Sequence, residues 1–205
     1  DAATETIASS AMALLLSLRG TPCIYQGEEL GLTEADIPYE QLVDPYGIAF
    51  WPQFKGRDGC RTPMPWHRDK VQAGFTESTQ TPWLPIPVEH KASAVNVQSA
   101  DPSSVFHETR GLIKFHRTES AFHSNQIHVV DSPEDLLVFE RGSGENAMLC
   151  IFNLSDQPIP FELPAKWHRA STRKASHGID AEPDQPTSLY EPWSWRFLSS
   201  HSTDR

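Results

Sequence analysis

The residues from Gly56 to Trp66 (GRDGCRTPMPW) place two guanidinium groups, Arg57 and Arg61, and one carboxylate, Asp58, within five positions. An arginine presents a planar fork of N–H donors that fits a vicinal pair of hydroxyls or a carboxylate. Asp58 can hold one of the two forks by a bidentate contact and leave the other for a ligand. Trp66 adds a flat apolar face of the kind on which polyhydroxylated rings stack. The same residue types also suit a plainer purpose, a salt bridge that staples a loop, and chemistry alone leaves both readings open.

A second carboxylate group is Glu28-Glu29, within Gln26-Gly27-Glu28-Glu29. Neighbouring side chains on an extended run point to opposite sides. Retaining hydrolysis of a sugar needs two carboxyl groups about 5 Å apart across the ring, which adjacent glutamates approach only where the backbone turns. The expectation is therefore structural, with one glutamate paired to an arginine and the other capping or supporting the loop. Phe50, Trp51, Phe54, Trp66, Phe75 and Trp83 crowd the same region; they can floor a ring-binding site or anchor a long loop. Among nine histidines, His116, His123 and His128 match no common ligand spacing and lack a thiol or acidic partner, so no metal is expected. Cys23, Cys60 and Cys150 are far apart and form no CxxC pair, which reads as free thiols in a reducing compartment. No GxSxG, P-loop or dinucleotide fingerprint is present.

The elements that must position these groups divide the 205 residues into four stretches. Ile7, Ala11, Leu14, Leu15 and Leu18 recur at helical spacing, with Thr4 as N-cap and Gly20 as stop, and predict a helix buried on that face. Thr21–Tyr25 follows as a short extended run, and the pair resembles the last helix–strand step of a parallel sheet. Such a strand needs covered neighbours on both faces, and a full (β/α)₈ barrel needs roughly 250 residues, so the N-terminal part reads as the end of a larger domain. From Thr33 to Pro102 the text is loop-like, with a short helix over Tyr39–Val43; a loop of that length is usually functional. Ser103–Phe122 predicts a helix capped by Asp101 or Ser103. Beyond Ser124 come short strands at 127–130, 136–140, 148–152, 159–163 and 193–198, with a hairpin turn at Arg141–Asn146, which suggests an antiparallel sandwich. The net charge of −10 is spread along the chain and argues against nucleic acid or an anionic membrane as partner. No apolar run is long enough to span a membrane. The chain starts at Asp1 without methionine or a signal pattern, which reads as a cut end.

Specific words in the sequence resemble the α-amylase superfamily, in its α-glucosidase and oligo-1,6-glucosidase branch (glycoside hydrolase family 13). A leucine-rich helix leads into Gly20-Thr21-Pro22-Cys23-Ile24-Tyr25-Gln26-Gly27-Glu28-Glu29-Leu30-Gly31, similar to the family's GTPxIYQGEExG. Residues 56–66 match GRDxxRTPMxW, with Pro65 in place of the usual glutamine. Ala73-Gly74-Phe75-Thr76, Pro82-Trp83-Leu84, Leu112–Arg117 and Met148–Ser155 resemble further family words. The likeness runs through most of residues 5–164.

The resemblance implies α/β plus all-β architecture: the end of a (β/α)₈ barrel over 1–123, including the long loop after strand 8, and a C-terminal antiparallel β-sandwich over 124–205. It implies a retaining, exo-acting α-glucosidase with a covalent glucosyl intermediate on an aspartate. The catalytic carboxylates belong to earlier barrel segments, one in an Asn-His-Asp word expected about ten residues before Asp1, so the chain alone is expected to be inactive and to hold no catalytic residue. Arg57 is implied to bind the non-reducing glucose, and Glu34 to line the leaving-group side. Asp58, Arg61, Trp66, Glu28 and Glu29 are implied to support the loop. No cofactor is implied. The expected partners are a small oligosaccharide or α-glucoside and the rest of the barrel, in the cytoplasm. Sucrose isomerase, trehalose synthase and trehalose-6-phosphate hydrolase share these words and stand as alternatives, as does a non-catalytic carbohydrate-binding or assembly module.

Overall fold

The computed structural model of the chain describes residues 2–176 and 187–200; the tail positions 177–186 and 201–205 of the expected sandwich lie outside them. The chain forms two compact units, one from residues 1–23 and 109–205 and the other from residues 24–108.

In the first unit, helix α1 (Ala2–Ser17) leads the chain. The helix is where the periodicity placed it, but it buries the other face: Ser9, Ser10, Met12, Ala13, Leu16 and Ser17 are covered, while Ile7 and Leu18 are each 41% exposed. The reason lies in its neighbour. The helix packs on a sheet that offers bulky aromatic side chains, and a face of serines and alanine leaves room for them. Trp195 Nε1 donates to Ser9 Oγ at 3.1 Å. Apolar residues occur all round this helix, so period alone does not choose the side. Thr21–Tyr25, expected as a strand, pairs with no strand among the described residues.

The sheet is antiparallel and five-stranded, in the order β1 (Ile127–Val129), β2 (Leu136–Arg141), β3 (Met148–Asn153), β7 (Trp195–Ser199), β5 (Ser171–Ala175). A second, two-stranded sheet pairs β4 (Ile159–Glu162) with β6 (Thr187–Tyr190). Strands β5 and β6 had no counterpart in the sequence reading. The turn between β2 and β3 is the expected hairpin, with Gly142 at φ 71°. One core cluster joins the two sheets, with Val138, Leu149, Ile151 and Leu198 from the large one, Phe161 and Tyr190 from the small one, and Trp167 beside them. On the opposite face of the large sheet, Phe197 stacks on Phe115 at 5.6 Å and meets Phe122 and Phe152 edge-on. Every residue of β3 is therefore buried, as expected of a strand covered on both sides.

Two polar residues tie this unit together. Arg141, fully buried, donates from Nη2 to the carbonyls of Phe122 (3.0 Å) and Ser124 (2.7 Å), from Nη1 to Ser17 O and from Nε to Gln126 O. It thereby supplies donors to the last carbonyls of α1 and of the short helix before β1, groups that a helix leaves without partners. Burial lowers its pKa, and Cys150 opposes that shift. Asn153, also buried, donates to the carbonyls of Gln157, Tyr190 and Glu191 and accepts from Ser155. It locks the turn after β3 to the end of β6.

The second unit has little regular structure and a small apolar cluster, Ile37, Leu42 and Leu84 with Trp51 against it. Each such buried side chain contributes about 1.5–3 kcal/mol, so polar ties carry much of the loop's order. The predicted helix at 39–43 is a single 3₁₀ turn, Tyr39–Gln41. It is followed by α2 (Pro45–Ala49), which was not anticipated. The short helices α3 (Val88–Ala92) and α4 (Val95–Gln98) precede α5 (Val105–Thr118). Ser104, one residue beyond the expected cap, accepts from His107 N, while Asp101 closes its own turn on Ser103.

Candidate functional site

Asp44 and Asp58 are the anchors of the motif, and both are buried. Asp58 Oδ2 accepts from the backbone N–H groups of Val43 (2.7 Å) and Asp44 (2.8 Å), and Oδ1 accepts from Arg61 Nη2 at 2.6 Å. Asp44 is the N-cap of α2: Oδ1 accepts from Tyr46 N, and Pro45 fills the first helical position. Its Oδ2 accepts from Arg57 N at 2.9 Å and lies 3.3 Å from Arg61 Nη2 and 3.5 Å from Arg57 Nε. The Arg57 N–H holds the Asp44 carboxyl below its ordinary value of 3.8, against the opposing effect of burial. Asp44 was missed from sequence, although Asp-Pro ahead of a helical turn is a cap signature.

The two arginines are placed differently. Arg61 is engaged by both aspartates and by Arg57 O. The Arg57 side chain is 68% exposed and held only at Nε; its terminal nitrogens have no partner among the described residues. Two glycines make the turn possible. Gly56 has φ 77° and lies against Gly47 of α2. A Cβ on Gly59 would stand 2.4 Å from Ala35 O and 2.5 Å from Glu34 Cγ, so only glycine allows that approach.

Pro65 and Trp66 are fixed through their backbone. Their carbonyls accept from Val95 N (3.0 Å) and Asn96 N (3.1 Å), and Trp66 N donates to Ala73 O. Trp66 is 52% exposed. Trp51 packs inside the loop, whereas Phe50, Phe54 and Trp83 are exposed.

Glu28 and Glu29 meet no arginine among the described residues, contrary to the expectation for one of them. Each carboxylate caps its own turn: Glu28 Oε2 accepts from Tyr25 N at 2.9 Å and Glu29 Oε2 from Gly27 N at 2.8 Å. A bound N–H this close in sequence removes the need for a distant cation.

Glu34 is exposed and lines a cleft of about 190 Å³ whose walls include Tyr25, Glu28, Cys60, Thr62 and His90. The site thus has two parts, the exposed Arg57 fork and the Glu34 cleft; Arg57 does not line the cleft. Among the described residues, no group of three histidines, cysteines or carboxylates is placed to hold a metal. No helix of the described residues is long and apolar enough to cross a membrane.

Comparison with known proteins places this geometry. The family model "Alpha amylase, catalytic domain" matches residues 1–125. A probable alpha-glucosidase of Rhizobium meliloti is 50% identical over 166 residues, 81% of this chain and 29% of that protein. An oligo-1,6-glucosidase of Parageobacillus thermoglucosidasius is 33% identical, over 72% of this chain and 29% of its own length. Among solved structures, the alpha-glucosyl transfer enzyme XgtA superimposes with a TM-score of 0.83 at 38% identity, over 95% of this chain and 35% of that one. The chain therefore spans about a third of the length of the relatives it matches. With its motif, its fold and the family model in agreement over the same residues, the chain belongs to the α-amylase family.

Proposed function

We propose that the chain is the C-terminal portion of an exo-acting, retaining α-glucosidase that hydrolyses terminal α-linked glucose. In this reading residues 1–123 end the (β/α)₈ barrel and 124–205 form the C-terminal sandwich. The observation that carries it is the Arg57 fork, rooted on Asp44 at Nε and open at both terminal nitrogens. A planar fork fixed at its base suits two neighbouring hydroxyls of one ring, and reading the ring at a chain end is exo-recognition. Glu34, on the cleft, faces the leaving group. Asp58, Arg61, Trp66, Glu28 and Glu29 hold the loop that presents both. The exposed stripe of α1 and the unpaired run Thr21–Tyr25 fit a barrel end whose neighbouring strands and helices lie outside this chain.

Retention proceeds by double displacement. A carboxylate attacks the anomeric carbon while an acid protonates the departing oxygen, and water then releases the sugar from the ester. Both carboxyl groups come from outside residues 1–205, and this chain binds and orients. The substrate is a small α-glucoside or oligosaccharide, handled in the cytoplasm without a cofactor. The test compares isolated residues 1–205 with the full-length protein on p-nitrophenyl α-glucoside. The full-length protein is expected to release nitrophenol and glucose of retained α configuration, and the isolated chain to release neither. Turnover by the isolated chain overturns the assignment.

A second reading, glucosyl transfer, draws on the likeness to an alpha-glucosyl transfer enzyme. Product analysis with maltose separates the two: glucose alone supports hydrolysis, and longer saccharides support transfer.

A further inference from the structure

We propose that His90 is a positioning residue that fixes Glu34 in the cleft and so sets selectivity for the leaving group, an inference resting on the reading of Glu34 above. His90 lies on α3 and is 4% exposed. Its Nε2 is 2.9 Å from Thr33 O and its Nδ1 is 3.2 Å from Thr62 Oγ1. A carbonyl only accepts, so Nε2 carries the proton; in the neutral ring Nδ1 then accepts from the Thr62 hydroxyl. Both nitrogens are thereby occupied. The ring is a strut rather than a base or a ligand.

The strut joins two segments far from it in sequence, 57 residues away at Thr33 and 28 away at Thr62. Thr62 is itself held, since its carbonyl accepts from Gln26 Nε2 at 3.2 Å. On the other side of Glu34, Ala35 N donates to Gly59 O at 3.0 Å, and the bare face of Gly59 receives the Glu34 stem. Glu34 therefore stands between two pinned backbone groups, Thr33 O and Ala35 N. Only its own torsions remain free. Arg57 is rooted on Asp44, which shares no hydrogen bond with His90. Loosening His90 therefore disturbs the cleft end of the site and spares the glucose end.

The experiment uses the full-length protein. His90→Phe keeps a ring without nitrogens, and His90→Gln restores an acceptor and a donor on one amide. The substrates are isomaltose and p-nitrophenyl α-glucoside, which share the terminal glucose and differ in the leaving part. For His90→Phe, kcat/KM is expected to fall about tenfold more on isomaltose than on the nitrophenyl glucoside, chiefly through KM, with His90→Gln regaining most of it. Equal losses on both substrates, or Gln no better than Phe, overturn the proposal. A second readout does not depend on turnover: amide exchange in the peptide spanning 33–36 rises about tenfold in His90→Phe while Val43 and Asp44 stay protected. Unchanged exchange overturns the clamp. If His90→Phe does not fold, Thr62→Val removes only the hydroxyl and is read in the same two ways. A native protein inactive on both substrates sinks the glucosidase reading and the selectivity with it, and the exchange data still decide the clamp.

Discussion

Arg61 commits its guanidinium to Asp58 and Asp44, whereas Arg57 engages Asp44 through Nε alone. This difference separates their expected phenotypes in the full-length enzyme. Arg57→Ala should cut kcat/KM on α-glucosides about a hundredfold, the loss of two charge-assisted hydrogen bonds at about 1.5 kcal/mol each, with little change in melting temperature. Arg57→Lys should recover only part, since an ammonium lacks the fork. Asp58→Asn should act the other way round. An amide nitrogen turned toward the buried N–H groups of Val43 and Asp44 leaves those donors facing a donor, and turned toward Arg61 it leaves that arginine to Asp44 alone, so about 2 kcal/mol of stability should be lost by denaturant titration. Asp44 makes the loop sensitive to acid. Its carboxyl is held below 3.8 in the folded chain, so the stability it contributes is complete above that pH and disappears as pH falls through the lowered value. Asp44→Asn should flatten the acid limb of an unfolding profile below pH 4; an unchanged limb would exclude Asp44 as its source. The residues legible in sequence were those with a motif, Arg57, Asp58 and Arg61. His90 was not, because one of its partners is the backbone carbonyl of Thr33, and a carbonyl has no residue signature.

Among elements, the long helices α1 and α5 and the strongly apolar strands were readable from their period, and the short helices α2 to α4 and the strands β5 and β6 were not. Ser171–Ala175 has almost no apolar alternation and meets β7 across an irregularity between Thr172 and Lys174. Thr187–Tyr190 is four residues long and forms its sheet with β4 alone. The burial side of α1 was misread because the most apolar stripe is left exposed at Ile7, Ala11 and Leu18 and half-buried at Leu14 and Leu15, while three serines share the covered face with Met12, Ala13 and Leu16. Strand β3 offers a test of that packing. Cys150 is fully buried and burial pushes its thiol well above the ordinary range, whereas Cys23 and Cys60 are exposed. Native protein should label at Cys60 with iodoacetamide and at Cys150 only after unfolding, as mass spectrometry of the peptides will show. Labelling of native Cys150 would mean that the sheet is not covered on both faces.

For the whole molecule, the exposed apolar side chains matter most. Ile7 and Leu18 on α1 and Tyr46, Phe50 and Trp83 in the loop unit leave large apolar side chains uncovered. Residues 1–205 purified alone should therefore bind a hydrophobic dye such as ANS and associate at micromolar concentration, while the full-length protein should do neither; equal dye binding by both would show that these faces stay open in the enzyme. The Arg141 contacts bear on a separate question, how this region can be exchanged between relatives. The arginine belongs to β2, yet the carbonyls it serves belong to Ser17 at the end of α1 and to Phe122, Ser124 and Gln126 ahead of the sheet. A chimaera joined at residue 124 would take the donor and Gln126 from one parent and Ser17 and Phe122 from the other. The β-rich region is thus not a cassette: a graft that keeps its fold has to carry the last turn of α1, the segment 120–126 and β2 from a single parent.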